Sequence, residues 1–273
     1  MSVLDPFLRF AKKGRNLAAL LAQRMSGRVP RIASGPGKGL RFDGGHATAG
    51  FVSGEYEYPV QEAIASLLRE GDVLYDIGAN FGFFSVLSSR IVGPEGVVYA
   101  FEPVPANAST VERNARLNRL GNIEVLRVAV SHHTGKSELY LAHYAGGAAL
   151  ISAGVPPDLA GTIVVDTSSI DDLVELRRIR PPNVVKIDVE GAEKEVLQGM
   201  LRVLKECGPK IILEVDDAVE ARCVGKLESC RKFLEDLHYR CEVLPKSYKD
   251  GGWFVRHLVA RHESPVKPSD EAP

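Results

Sequence analysis

The stretch Val73-Leu74-Tyr75-Asp76-Ile77-Gly78-Ala79-Asn80-Phe81-Gly82 decides how the rest of the chain is read. A short apolar run of strand character enters a glycine-rich turn, and an apolar helix pattern over residues 83–92 follows at once. Glycines there let the backbone turn sharply and let a ligand approach the chain. The helix behind the turn aims its first N–H groups at the same spot.

Reading outward, the same texture repeats. Residues 96–101 (GVVYAF) predict a second strand, 106–120 a helix, and 123–130 a third strand. Short extra strands are expected at 137–141 and 162–165, around a Gly/Ala/Pro-rich loop at 145–161. A helix over 169–177 precedes a fourth strand at 183–189 (NVVKIDV), followed by a helix over 191–207. A fifth strand is read at 210–215 (KIILEV), a helix at 226–237, and a closing hairpin from 239–244 and 253–259. Strands alternating with helices imply an α/β fold, a mostly parallel, doubly wound sheet covered on both faces. Ligands in such sheets bind beyond the carboxyl ends of the strands, so the residues just after each strand carry the chemistry.

Two cofactor classes suit the first turn, dinucleotides and S-adenosylmethionine. The spacing is not G-x-G-x-x-G, and a pyrophosphate would face the Asp76 carboxylate. A ligand bearing an ammonium and a sulfonium would be drawn to it. Glu102, after the second strand, lies at a distance suited to accepting ribose hydroxyls from either class. After the fourth strand, Lys186 and Asp188 share one face by alternation, with Glu190 next if the strand continues. Glu214, Asp216 and Asp217 end the fifth strand; a helix N-cap is the plainer reading of the last two. So many carboxylates at one end of interior strands are hard to explain by packing, because buried unpaired charge is costly.

Asp76-x-Gly78-x-Asn80-x-Gly82, Glu102-Pro103 and Val185-Lys186-Ile187-Asp188-Val189-Glu190-Gly191-Ala192-Glu193 together resemble the FkbM-type S-adenosylmethionine-dependent methyltransferases. Gly54-Glu55-Tyr56-Glu57 and Ser169-Ile170-Asp171-Asp172-Leu173 fit the same pattern, over about residues 50–217. The resemblance implies a class I methyltransferase fold, a Rossmann-like seven-stranded sheet with an antiparallel last strand. It implies methyl transfer to a hydroxyl of a sugar, glycan or natural-product acceptor. Carried over residue by residue, Gly78 and Gly82 would let the chain pass close to the cofactor, with Asp76 near its methionine amino group. Asn80 stands where many other methyltransferases have a glycine. Glu102 would hold the ribose, Ala129 and Val130 would flank the adenine, and Glu57 would reach the methionine end. The expected base is Asp188, with Glu190 second and Lys186 orienting a carboxylate or stabilising oxygen charge. A divalent metal shared by Asp188 and Glu214 is the alternative route to an acidified hydroxyl, and no metal ligand set is assigned.

Composition narrows the rest. The 273 residues are 45% hydrophobic and 25% charged, which excludes wholesale disorder and fibrous classes. The net charge of −1 hides a basic arm: residues 1–41 hold nine Lys/Arg against the single acid Asp5. Residues 1–30 read as amphipathic helix, and the arm suits packing on the domain or contact with anionic lipid or a glycan carrier. The acidic body argues against nucleic acid as a partner. The divisions expected are an arm and loop at 1–50, a methyltransferase domain at 51–262 and a disordered tail at 263–273. Tyr144 and Gly146–Gly147 suggest a substrate lid, and the seven histidines read as surface or loop residues. Cys207, Cys223, Cys230 and Cys241 show no C-x-x-C spacing and read as reduced, mostly buried thiols. With no apolar run long enough to span a bilayer, a cytoplasmic protein is expected. A nicotinamide-dependent oxidoreductase and a non-catalytic module on the same fold remain the competing readings.

Overall fold

The computed structural model describes residues 29–45, 48–142, 148–150, 159–249 and 252–263. The arm before residue 29, His46, His143, the Tyr144 to Gly147 loop and the tail from 264 lie outside them.

The chain begins with α1 (Thr48–Val52) and α2 (Tyr58–Leu67), then alternates β1 (Val73–Ile77), α3 (Phe83–Val92), β2 (Val97–Phe101), α4 (Pro105–Asn118) and β3 (Ile123–Leu126). Four strands follow, β4 (Ala129–Val130), β5 (Gly135–Ala142), β6 (Ala148–Leu150) and β7 (Leu159–Ser168), then α5 (Ile170–Glu175) and β8 (Val184–Ile187). The fold closes with α6 (Glu193–Gln198), α7 (Leu201–Glu206), β9 (Lys210–Asp217), α8 (Glu220–Glu235), β10 (Tyr239–Val243) and β11 (Phe254–His262).

The main sheet has seven strands in the order β10-β11-β9-β8-β1-β2-β3. The pairs β1–β2, β1–β8, β2–β3 and β8–β9 are parallel, and β11 is antiparallel to both of its neighbours. This is the doubly wound sheet that the alternation of elements predicts, with the antiparallel last strand that the resemblance implies. No described helix is long and apolar enough to cross a membrane.

Alternation splits each central strand between two cores. Val73, Tyr75 and Ile77 face one cluster with Phe101, Ile187, Leu213 and the buried thiols Cys223 and Cys230. Leu74, Val184, Ile212 and Val259 face the other, with Val60, Ile64, Phe83 and Leu87. Ile32, Leu40, Phe42 and Phe51 belong to this second cluster, so the described part of the segment grouped with the basic arm is core, not appendage.

Four elements differ from expectation, each for a local reason. The third strand is broken: β3 ends in the main sheet, and β4 pairs with β7 in a second sheet of order β4-β7-β5-β6. Between them Arg127 turns out to Glu112, 2.8 Å away. The fourth strand stops at Ile187, because Glu190 (φ 54°) and Gly191 (φ 103°) are left-handed and turn the chain. Glu190 is therefore not the next strand position beyond Asp188. The helix expected over 191–207 divides at Gly199, where a Cβ would lie 2.0 Å from the Ser131 carbonyl oxygen. The helix expected to start at Lys226 starts at Glu220, since Cys223 extends the buried stripe of Leu227, Cys230 and Leu234 backwards.

Candidate active site

The second core ends in a polar row. Along the face that buries Leu74, Val184, Ile212 and Val259, the residues two positions nearer the carboxyl edge are Asp76, Lys186, Glu214 and, on the antiparallel strand, His257. Asp76 is opposite Lys186 in the β1–β8 register, and Glu214 is opposite His257 in the β9–β11 register. Asp76, Lys186 and His257 are 1–3% exposed, so this row is not a solvated rim.

Lys186 organises one half. Its Nζ donates to Asp188 Oδ2 at 2.9 Å, lies 4.0 Å from Asp76 Oδ1 and sits 4.8 Å from the centroid of Phe84. Burial opposes the Lys186 charge, but Asp188, Asp76 and Glu57 outweigh it and hold the ammonium above its ordinary pKa. A buried cation between two carboxylates fixes both, and removing one member would strand the others. Asp76 Oδ2 also accepts from Ser85 Oγ at 2.5 Å, while burial raises its pKa against the pull of Lys186. Asp188 is the more open partner, with a side chain 22% exposed.

The glycine turn is held by its own backbone. The Gly78 and Ala79 N–H groups donate to the Phe101 carbonyl, Gly82 N–H to the Ala79 carbonyl, and Asn80 N–H to Glu102 Oε2 at 2.8 Å. Glu102 Oε1 accepts from Val104 N–H at 2.9 Å. Burial raises the Glu102 carboxyl to about 7, with these N–H groups pulling the other way. Asn80 is left-handed (φ 51°), a conformation asparagine tolerates better than most residues. Gly78 is required twice over: φ is 80°, and a Cβ would lie 1.7 Å from the Asp188 carbonyl oxygen. Gly82, at φ 82°, makes room for Val111. The expected approach of a ligand is thus not needed to explain either glycine. With these N–H groups spent inside the protein, the turn offers little to a pyrophosphate.

His257 centres the other half, and the sequence reading missed it. Its Nε2 is 2.6 Å from Glu214 Oε2 and 3.8 Å from Glu57 Oε2. Burial opposes charge on the ring, yet Glu214 and Glu57 raise its pKa to about 10. Glu57, the left-handed N-cap of α2 (φ 41°), also accepts from Tyr248 Oη at 2.7 Å. The signal for His257 was the pairing of β11 with β9, which a linear pattern does not carry.

Other expected residues divide. Glu190 meets Asp216 rather than Asp188's face; burial first, then Asp216, Asp188 and Glu214, push its carboxyl well above the usual range. Asp216 also accepts from Trp253 Nε1 at 2.6 Å. Asp217 accepts from Val219 N–H and from Arg222, but the N-cap of α8 is Val219, without a side-chain cap bond, so the N-cap read for Asp216 and Asp217 does not form. Ala129 packs near Val104 and Val189, the segments after β2 and β8, whereas Val130 turns into the main core. His132 and His133 are exposed.

Residues 76–241 match the family described as the methyltransferase FkbM domain. The chain belongs to the FkbM methyltransferase family. It is an S-adenosylmethionine-dependent methyltransferase, and the match decides against the nicotinamide and non-catalytic readings. Among its relatives is the hexuronic acid methyltransferase AglP of Haloferax volcanii, 33% identical over 181 residues, covering 65% of this chain and 71% of that protein. The 31-O-demethyl-FK506 methyltransferase FkbM of Streptomyces tacrolimicus is 27% identical over 199 residues, covering 59% of this chain and 75% of that protein. The crystal structure of methyltransferase FkbM from Methylobacillus flagellatus shares the fold at 18% identity, with a TM-score of 0.50, over 90% of this chain and 59% of that one.

The residues present fit this family's cofactor. Asp76 Oδ1 and Asn80 Oδ1 are buried acceptors with no hydrogen-bond partner among the described residues. Orphaned acceptors of this kind are costly unless a donor arrives. A ligand bearing an ammonium and ribose hydroxyls brings such donors, and the excess of carboxylates favours its positive charge.

Proposed function

We propose that this FkbM-family enzyme methylates a hydroxyl oxygen of a sugar, glycan or natural-product acceptor, with Asp188 as the base. The observation that carries this reading is the Asp76–Lys186–Asp188 arrangement, which holds one mostly buried but solvent-reachable carboxylate at the strand ends on a buried, doubly paired ammonium. The relatives' names, a hexuronic acid methyltransferase and a 31-O-demethyl-FK506 methyltransferase, support an oxygen of a small molecule as the acceptor, and the second supports a hydroxyl.

S-adenosylmethionine supplies a methyl group already activated on a sulfonium, so the protein's tasks are alignment and proton removal. Asp76 and Asn80 offer their unpartnered oxygens to the methionine end, and Glu102 accepts from the ribose hydroxyls. Gly78 and Gly82 shape the turn that carries them, and Ala129 flanks the adenine. Glu57 belongs with Glu214 and His257 rather than with this set. Asp188 takes the acceptor proton as the new bond to oxygen forms. Lys186 fixes the carboxylate and offsets its charge. Glu190 is held protonated against Asp216, which takes it out of the role of base.

Titration calorimetry with S-adenosylhomocysteine, beside NADH, tests the cofactor set. The expected result is saturable binding of the first alone, weakened at least tenfold in Glu102→Ala. Equal affinity in that variant would remove Glu102 from the site.

A further inference from the structure

Among the described residues, Glu57, Glu214 and His257 each aim one ligand atom at a common point, with all three atoms within 4.8 Å of one another. They come from the start of α2 and from the paired strands β9 and β11, so three parts of the fold converge there. Glu57 and Glu214 act on Lys186 only through their charge, not as its bonded partners.

The surroundings orient these atoms. His257 Nδ1 lies 3.5 Å from Ser247 Oγ, which leaves Nε2 facing the carboxylates. Tyr248 occupies Glu57 Oε1, which leaves Oε2 facing inward. Glu57 is 2% exposed, and its Oε2 has no hydrogen-bond partner. A closed ion triad would satisfy that oxygen. A buried carboxylate oxygen left bare beside an imidazole and a second carboxylate calls for a cation. Partners on the far side of each ligand are what a metal-binding histidine and carboxylate require.

We propose that Glu57, Glu214 and His257 form a binding site for one divalent first-row transition cation, where the start of α2 meets β9 and β11. Two carboxylates neutralise such an ion, and one imidazole with two carboxylates favours Mn²⁺ or Zn²⁺ over Mg²⁺. Bonds of about 2.0–2.2 Å would require the Nε2 proton held against Glu214 to be released to solvent, and the two atoms, now 2.6 Å apart, to separate to about 3.0–3.4 Å. Three protein ligands leave coordination positions open to water or to acceptor oxygens. Glu214 continues, along β9, the row that holds Asp76 and Lys186, so a cation here would lie at the same end of the sheet as the proposed base.

The test needs neither cofactor nor acceptor, so it stands or falls separately from the methyl-transfer reading. The full chain, stripped with chelator, is titrated with Mn²⁺ and followed by electron paramagnetic resonance. Saturable uptake of one Mn²⁺ per chain is expected, with electron spin-echo modulation from a directly bound imidazole nitrogen. His257→Gln should abolish the nitrogen signal, and Glu57→Gln should weaken uptake at least tenfold. Ser247→Ala lies outside the ligand set and guards against variants that fail to fold; loss of its support should weaken uptake about tenfold. No saturable uptake by the wild-type chain would overturn the proposal. So would uptake without nitrogen coupling, or a nitrogen signal unchanged in a folded His257→Gln protein.

Discussion

At Glu102, burial and function pull in opposite directions. Burial lifts its carboxyl from an ordinary value of 4.5 to about 7, while ribose hydroxyls would bind best to the ionised form. The neutral form stabilises the cofactor-free fold; that contribution is complete below about 4.5 and is lost as pH climbs through about 7. Cofactor binding then requires a proton to leave, so affinity for S-adenosylhomocysteine should fall about tenfold per pH unit below 7. Calorimetry between pH 5.5 and 8 measures this, and Glu102→Gln should flatten the profile. Asp76, Asn80, Glu102 and Asp188 were legible in sequence because each sits in or just beyond a strand end. His257 was not, because its role depends on lying opposite Glu214 in an antiparallel pair. Glu190 was half legible: the residue was visible, but its left-handed backbone redirects it to Asp216.

Elements meet at the site through backbone contacts that only glycine permits. Gly78 closes β1 against the Asp188 carbonyl beyond β8, so the cofactor turn and the proposed base share one packing contact. Gly78→Ala adds both a strained φ and a backbone overlap, and should cost about 2–4 kcal/mol of stability. It should also lower turnover, because any relief moves Asp188. Urea unfolding together with the rate of methyl transfer checks both. Most element identities were readable from periodicity. The breaks were not: a strand divided where β4 leaves the main sheet to pair with β7, and a helix divided where Gly199 meets the Ser131 carbonyl, are set by tertiary neighbours. The cysteines of α8 were read as core, and Cys223 and Cys230 are core.

On the scale of the molecule, the described part of the segment grouped by charge with the basic arm belongs to the core: Ile32, Leu40 and Phe42 join the cluster that carries the polar row. Phe42 packs on Phe51 and Phe83 at centroid distances of 5.0 and 5.5 Å and is fully buried. Phe42→Ala should destabilise the whole enzyme by about 3–5 kcal/mol, visible as a single cooperative shift in denaturant unfolding. A shift confined to a minor early transition would instead mark the segment as separable. The central claim joins all three scales: one end of the sheet holds the cofactor and presents Asp188 to a hydroxyl. It is tested most directly by transfer of a labelled methyl group from S-adenosylmethionine to a panel of glycosides and uronic acids, comparing the wild-type enzyme with Asp188→Asn. The account predicts that Asp188→Asn keeps its affinity for S-adenosylhomocysteine and loses about 10²–10⁴-fold in transfer to oxygen. Transfer at the wild-type rate by Asp188→Asn would contradict it.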